Sequence, residues 1–165
     1  MAAAGLPAAA ICVGAFWCAL VRATKGEHDE RHPVRGGTEA GRFDVVAAPF
    51  SIRLSDQLEL QPDVLVGRIE DFTEDDLPAP PVLAVEVLSP STAIHDLNTK
   101  KAVYERLGTA SYWVIDPEEP ALTVFELDED GHYQQVAKAA GDEIFEAERP
   151  FPIRIVPKEL LGRLG

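Results

Sequence analysis

The chain has 165 residues, 46% of them hydrophobic and 26% charged, with a formal net charge of −13 at pH 7. That length and balance suit one folded domain and exclude disorder throughout. The charge also excludes broad attraction to nucleic acid, because binders of phosphate backbones gain most of their affinity from Lys and Arg. Any chemistry on phosphates must therefore come from local groups.

From Met1 to Val21 no side chain is charged. The stretch is just long enough to span a bilayer or to serve as a signal peptide. A signal peptide wants positive charge ahead of its apolar run, whereas Arg22 and Lys25 follow it, and Gly5, Pro7 and Gly14 weaken a spanning helix. A buried or irregular amino-terminal segment without stable membrane association is the expectation. Cys12 and Cys18 lie inside it and form neither a disulfide framework nor a metal-ligand pattern. Two buried thiols and a reducing, cytoplasmic setting are predicted.

Between Thr24 and Gly41 the texture becomes charged, Gly-rich and aperiodic, as in a linker. His28 and His32 stand four apart, but the zinc-protease arrangement needs Glu directly after the first His, and Asp29 is there. Pro33 closes the segment, so a solvated loop is predicted, not a zinc site. The division read from this is an atypical amino-terminal segment over 1–41 and a folded domain over 42–165.

Regular structure begins with Phe43 to Ala47 and Ile52 to Leu54, two short strands broken at Pro49. Pro62 precedes a strand at Val64 to Val66, and an acidic, Pro-rich loop runs from Glu70 to Pro81. Val82 to Leu88 is apolar except for Glu86, which suits a central strand covered on both faces. Ser89-Pro90-Ser91-Thr92 resembles a turn into a helix, with hydroxyls for capping. Leu97, Val103, Tyr104 and Leu107 give that helix an apolar stripe, and Gly108 stops it. Tyr112 to Ile115 is the next strand, ended by Asp116-Pro117. Leu122 to Leu127 and Tyr133 to Ala137 flank Asp128-Glu129-Asp130-Gly131, a hairpin signature. A strand near Ile153 to Val156 and a short turn from Lys158 to Leu161 finish an α/β chain with a mixed sheet and helical cover.

Two acids stand out. Asp63 opens one strand and Glu86 interrupts another that is otherwise apolar. A buried carboxylate costs several kcal/mol, on the order of the penalty for an unpaired ion, unless a cation compensates. Magnesium is one such cation: it takes one or two carboxylates plus waters and phosphate oxygens, and a backbone carbonyl near Val87 would supply a third ligand. The plain alternative is that Glu86 only pairs with Lys100, Lys101 or an Arg. Asp96, Lys100 and Tyr104 are spaced four apart and share a helix face. If that helix packs beside the strand of Glu86, Lys100 reaches toward a bound metal and its water. A solvent-side pair of Asp96 and Lys100 is equally open, and Tyr104 fits core packing more readily than a site.

Pro62-Asp63-Val64, then Val85-Glu86-Val87-Leu88-Ser89-Pro90-Ser91-Thr92, then Asp96, Lys100, Tyr104, Gly108 and Tyr112-Trp113-Val114-Ile115-Asp116 form an ordered series. It resembles the Uma (Uma-two) family, described as restriction endonucleases of the PD-(D/E)XK nuclease superfamily, from about Gly41 to Leu161. The resemblance implies a restriction-endonuclease-like core, a central mixed β-sheet flanked by helices, and magnesium- or manganese-assisted hydrolysis of DNA phosphodiesters. It carries Asp63 and Glu86 over as metal ligands. The superfamily Lys two places after the acid is here Leu88, and Lys100 on the following helix takes its place. The amino-terminal helix and strands of the family, which hold a further Glu, have no counterpart recognisable between Met1 and Arg42.

Two functions follow as expectations. The first is an endonuclease in which Asp63 and Glu86 hold the metal, Lys100 positions the attacking water, and Ser89, Asp96 and Tyr104 support them. The second is a nuclease-like module without activity, favoured by the charge of −13 and the unrecognised amino-terminal part. Paired cuts on a duplex would suit a homodimer, an expectation from the family only.

Overall fold

The computed structural model describes residues 8–25, 42–89 and 96–161, without the side chains of 8, 9, 24, 25, 96 and 97. The expected linker with His28 and His32, and the Pro90-Ser91-Thr92 turn, lie outside the described residues.

Six strands make the main sheet: β1 (Phe43–Ala47), β4 (Val64–Arg68), β6 (Leu83–Val87), β7 (Ser111–Asp116), β8 (Ala121–Leu127) and β9 (Tyr133–Ala140), side by side in that order. All neighbours are antiparallel except β6 and β7. A parallel pair needs a crossover, and the chain provides it as a π-helical turn, Asp96–Lys100, running directly into helix α2, Lys101–Leu107. Gly108 ends α2 at φ 76°, the left-handed geometry a side chain resists. All five residues of β6 are buried, as its apolar run predicts.

Alternation divides the sheet's side chains between two cores. On one face Val64, Val66, Leu83, Val85, Val87, Trp113 and Ile115 meet Cys12, Phe16 and Leu20 of helix α1, Ala8–Lys25. The hairpin of β10 (Phe145–Ala147) and β11 (Ile153–Ile155) packs there too, with Phe145 edge-on to Trp113. On the other face Leu65, Ala84, Tyr112 and Val114 meet Tyr104 of α2. They also meet Ile52 and Leu77 from a small sheet of β3 (Leu58–Leu60), β2 (Ser51–Ser55) and β5 (Asp76–Leu77).

Of the two forms expected for the amino-terminal segment, buried or irregular, helix α1 takes the first: Cys12, Phe16 and Leu20, four apart, are fully buried, the stripe that seats a helix on a sheet. Cys18 lies off that stripe and is exposed, which corrects the prediction of two buried thiols. Burial first, and the Asp63 carboxylate second, push the Cys12 thiol up to about 12, so it stays protonated. Trp17 donates its indole N–H to the Val45 carbonyl (3.2 Å), and the Val45 amide donates to Asp44 Oδ1 (2.9 Å). Both bonds occupy backbone groups of edge strand β1, a usual way to blunt a sheet edge. Among the described residues no helix is long and apolar enough to cross a membrane.

Three strands escaped the sequence pattern. β3, β5 and β10 have two or three residues each, too few for a period of two to show.

Candidate active site

β4 and β6 run antiparallel with Val64 opposite Val85 and Leu65 opposite Ala84. Continuing that register by one residue sets Asp63 opposite Glu86, and directly opposed residues share a face. The face is that of α2, because Leu65 and Ala84 already point to it. Pro62 has no amide hydrogen to extend the ladder, so β4 begins only at Val64. The Val87 amide finds another acceptor: it donates to Asp63 Oδ2 at 2.7 Å. Val87 was expected to serve through its carbonyl; the contact the structure shows uses its amide.

Glu86 is 1% exposed. Lys100 Nζ donates to its Oε2 at 2.7 Å and the Tyr104 hydroxyl to its Oε1 at 3.1 Å. The two donors sit one helical turn apart across the junction of the π-helical turn and α2, so one helix end addresses both carboxylate oxygens. Lys100 is thus paired with Glu86. Lys101 lies elsewhere, its ammonium 4.2 Å from the centre of the Phe125 ring. The side chain of Asp96 is outside the described residues. Ser89 is half-buried on the segment that follows β6.

The electrostatics are unbalanced. Burial pushes the Glu86 carboxyl up to about 7 even though Lys100 pulls it down; Asp63 adds to the rise and Tyr104 opposes it. One ammonium at hydrogen-bonding distance does not offset the loss of water. Burial and the adjacent Glu86 hold Tyr104 far above the usual phenol range, so it remains a donor at all ordinary pH. Tyr104→Phe should therefore destabilise the protein by about 1–3 kcal/mol at pH 8, where it strands an ionised acceptor, and by less at pH 5. Urea melts at the two pH values measure this, and equal losses would contradict it.

A third acid belongs to the same sheet end. Asp116 closes β7, but its Oδ1 accepts the amides of Glu118 and Glu119 at 2.9 and 3.2 Å and so serves its own turn. In the sequence Asp116 reads as a strand end and as the last residue of the series that resembles the Uma family, and nothing in the spacing distinguishes it from a ligand. Among the described residues no group of three or more His, Cys, Asp and Glu side chains could hold a metal ion. The protein's own offer at this place is two carboxylates.

The sequence profile of a family described as "Uma2: Putative restriction endonuclease" matches residues 31–157, which is most of the chain. The chain belongs to the Uma2 family. No protein of curated function matches this Uma2 chain. Among solved structures, a "putative nuclease belonging to DUF820" from Anabaena variabilis superposes with a TM-score of 0.61 at 16% identity. The match covers 96% of this chain and 83% of that one, a share too large to leave α1 out. At that identity the likeness is one of fold, and it gives the Uma2 chain the mixed-sheet architecture of the restriction-endonuclease-like proteins.

Proposed function

We propose that this chain is a metal-dependent nuclease that hydrolyses phosphodiester bonds in DNA, with Asp63 and Glu86 holding magnesium or manganese. The observation that carries the proposal is a fully buried carboxylate, Glu86, set beside a second one and left incompletely compensated by Lys100. Such a pair fits a hard cation by its donor chemistry: two carboxylates in one place are what magnesium takes from a protein, the remainder being water and substrate oxygens. When bound, the ion would supply Lewis acidity toward the phosphate and a more acidic water.

The chain's own groups do the rest. Asp63 keeps its carboxylate aimed at β6 through the Val87 amide. Tyr104 fixes the rotation of Glu86 by holding Oε1. Lys100 brings the cation that would orient the attacking water and steady charge developing on the phosphate. The Val87 carbonyl is proposed as a third ligand, with Ser89 and Asp96 as supports around the site. Family membership supports the reaction class, and DNA is proposed as its substrate.

Supercoiled plasmid incubated with magnesium or manganese tests this. Wild type should nick it, and Asp63→Asn should slow nicking by at least about 100-fold, the scale seen when one group that stabilises charge is removed. Equal rates in both proteins would sink the proposal. The net charge of −13 favours a second reading, an inactive interaction module; ion-dependent stabilisation without any nicking would select it. The cytoplasm and a homodimer are proposed as its setting and state, the latter checked by light scattering.

A further inference from the structure

The two oxygens of Glu86 are held in different ways. Oε1 is fixed by Tyr104, whose ring is fully buried and packed on Tyr112 with centroids 5.2 Å apart. That phenol has nowhere to go. Oε2 is held by Lys100, whose side chain is 31% exposed on a flexible four-carbon stem at the end of the π-helical turn. Single π-helical turns inside helices recur at functional sites. A divalent ion approaching Glu86 therefore meets a fixed donor on one oxygen and a movable cation on the other. Two positive charges against one buried oxygen repel strongly, since little water is present to screen them.

We infer that the Lys100 ammonium is the resident counter-cation of Glu86 in the metal-free protein, and that it must leave Oε2 for a divalent ion to bind. This rests on the metal site proposed above. Lys100 is then a positioning residue with two stations. Against Glu86 it keeps the buried carboxylate partnered before loading. Released, it remains tethered one helical turn from Tyr104, beside whatever phosphate the ion has gathered. Loading the ion and freeing the cation for the substrate become one event.

A lysine that only supported the helix would lower metal affinity, or leave it unchanged, when removed. A competing cation gives the opposite sign. Manganese binding to the full chain, followed by the loss of the free-ion signal in electron paramagnetic resonance at pH 8.5, separates the two. Lys100→Met should bind Mn2+ about tenfold tighter than wild type or more, the scale on which competing ligands couple. Lys100→Arg, which keeps the charge, should stay near wild type, and Tyr104→Phe should change affinity much less than Lys100→Met. Lys100→Gln is read in the same way if the Met variant does not fold. Mn2+ binding no tighter in Lys100→Met and Lys100→Gln than in wild type overturns the inference while leaving the metal site standing. Wild-type binding that survives both Asp63→Asn and Glu86→Gln overturns the site itself, and the inference with it.

Discussion

Glu86→Gln is expected to make the metal-free protein more stable above pH 7 while abolishing plasmid nicking. The sign follows from the direction of the shift. Burial raises the Glu86 carboxyl from 4.5 to about 7, so the folded chain binds this proton more tightly than the unfolded chain does. A group raised in the folded state contributes stability that is fully present below the unfolded value and lost as pH rises through the folded one. Between about pH 4.5 and 7, wild type should thus lose up to about 3 kcal/mol through this one residue, at roughly 1.4 kcal/mol for each pH unit of separation. Gln has no proton to lose and keeps that stability. Lys100 gives up its partner in the variant, but it is partly exposed and can turn toward water. Urea melts of both proteins at pH 5 and pH 8 decide the matter: the curves should lie close together at pH 5 and separate at pH 8 in favour of Gln. Parallel pH dependence would mean that Glu86 is not strained by its burial, and the case for a cation site would lose its main support. The expected trade of stability for function is common at sites that concentrate charge.

Phe16→Ala should destabilise the whole domain by about 3–5 kcal/mol, the cost of emptying a large buried aromatic position. Phe16 is fully buried and packs edge-on to Trp113 at 6.0 Å, so the cavity would open beside the central strands. This bears on the division of the chain at residue 41 read from texture. Helix α1 shares one core with β1, β4, β6 and β7, and a loss of that size is a large part of a typical domain's total stability. The expected result is a single unfolding transition shifted to lower urea. A variant that melts like wild type would show α1 to be an appendage, and would justify dividing the chain where its composition changes.

The elements that were legible share a physical cause. β6 reads as a central strand because burial on both faces leaves it a continuous apolar run, broken only where Glu86 stands. The β8–β9 hairpin reads from Asp128 and Gly131, and the folded turn uses both. Asp128 Oδ1 accepts the amides of Asp130 and His132, while Gly131 takes φ 81°. α1 was less legible because its composition, without a charged residue up to Val21, suits a membrane span, a signal peptide or a buried helix alike. Only the neighbours it packs against distinguish these. Cys12 and Cys18 make the same point within one helix: identical residues in one uncharged stretch, one buried and one exposed, because six positions do not return to the same face.

By itself the sequence determined which groups could do chemistry: an acid in an apolar strand, an acid at a strand start, and a lysine with a tyrosine four residues on. Those facts are chemical and local, and they survive any arrangement of the chain. Only the tertiary structure decided that the groups meet. The antiparallel register of β4 and β6 sets Asp63 opposite Glu86, and the crossover between β6 and β7 drops Lys100 and Tyr104 onto separate oxygens of one carboxylate. A shift of one residue in that register would turn Asp63 to the opposite face. No spacing along the chain encodes that choice, because it depends on which strand lies next to which.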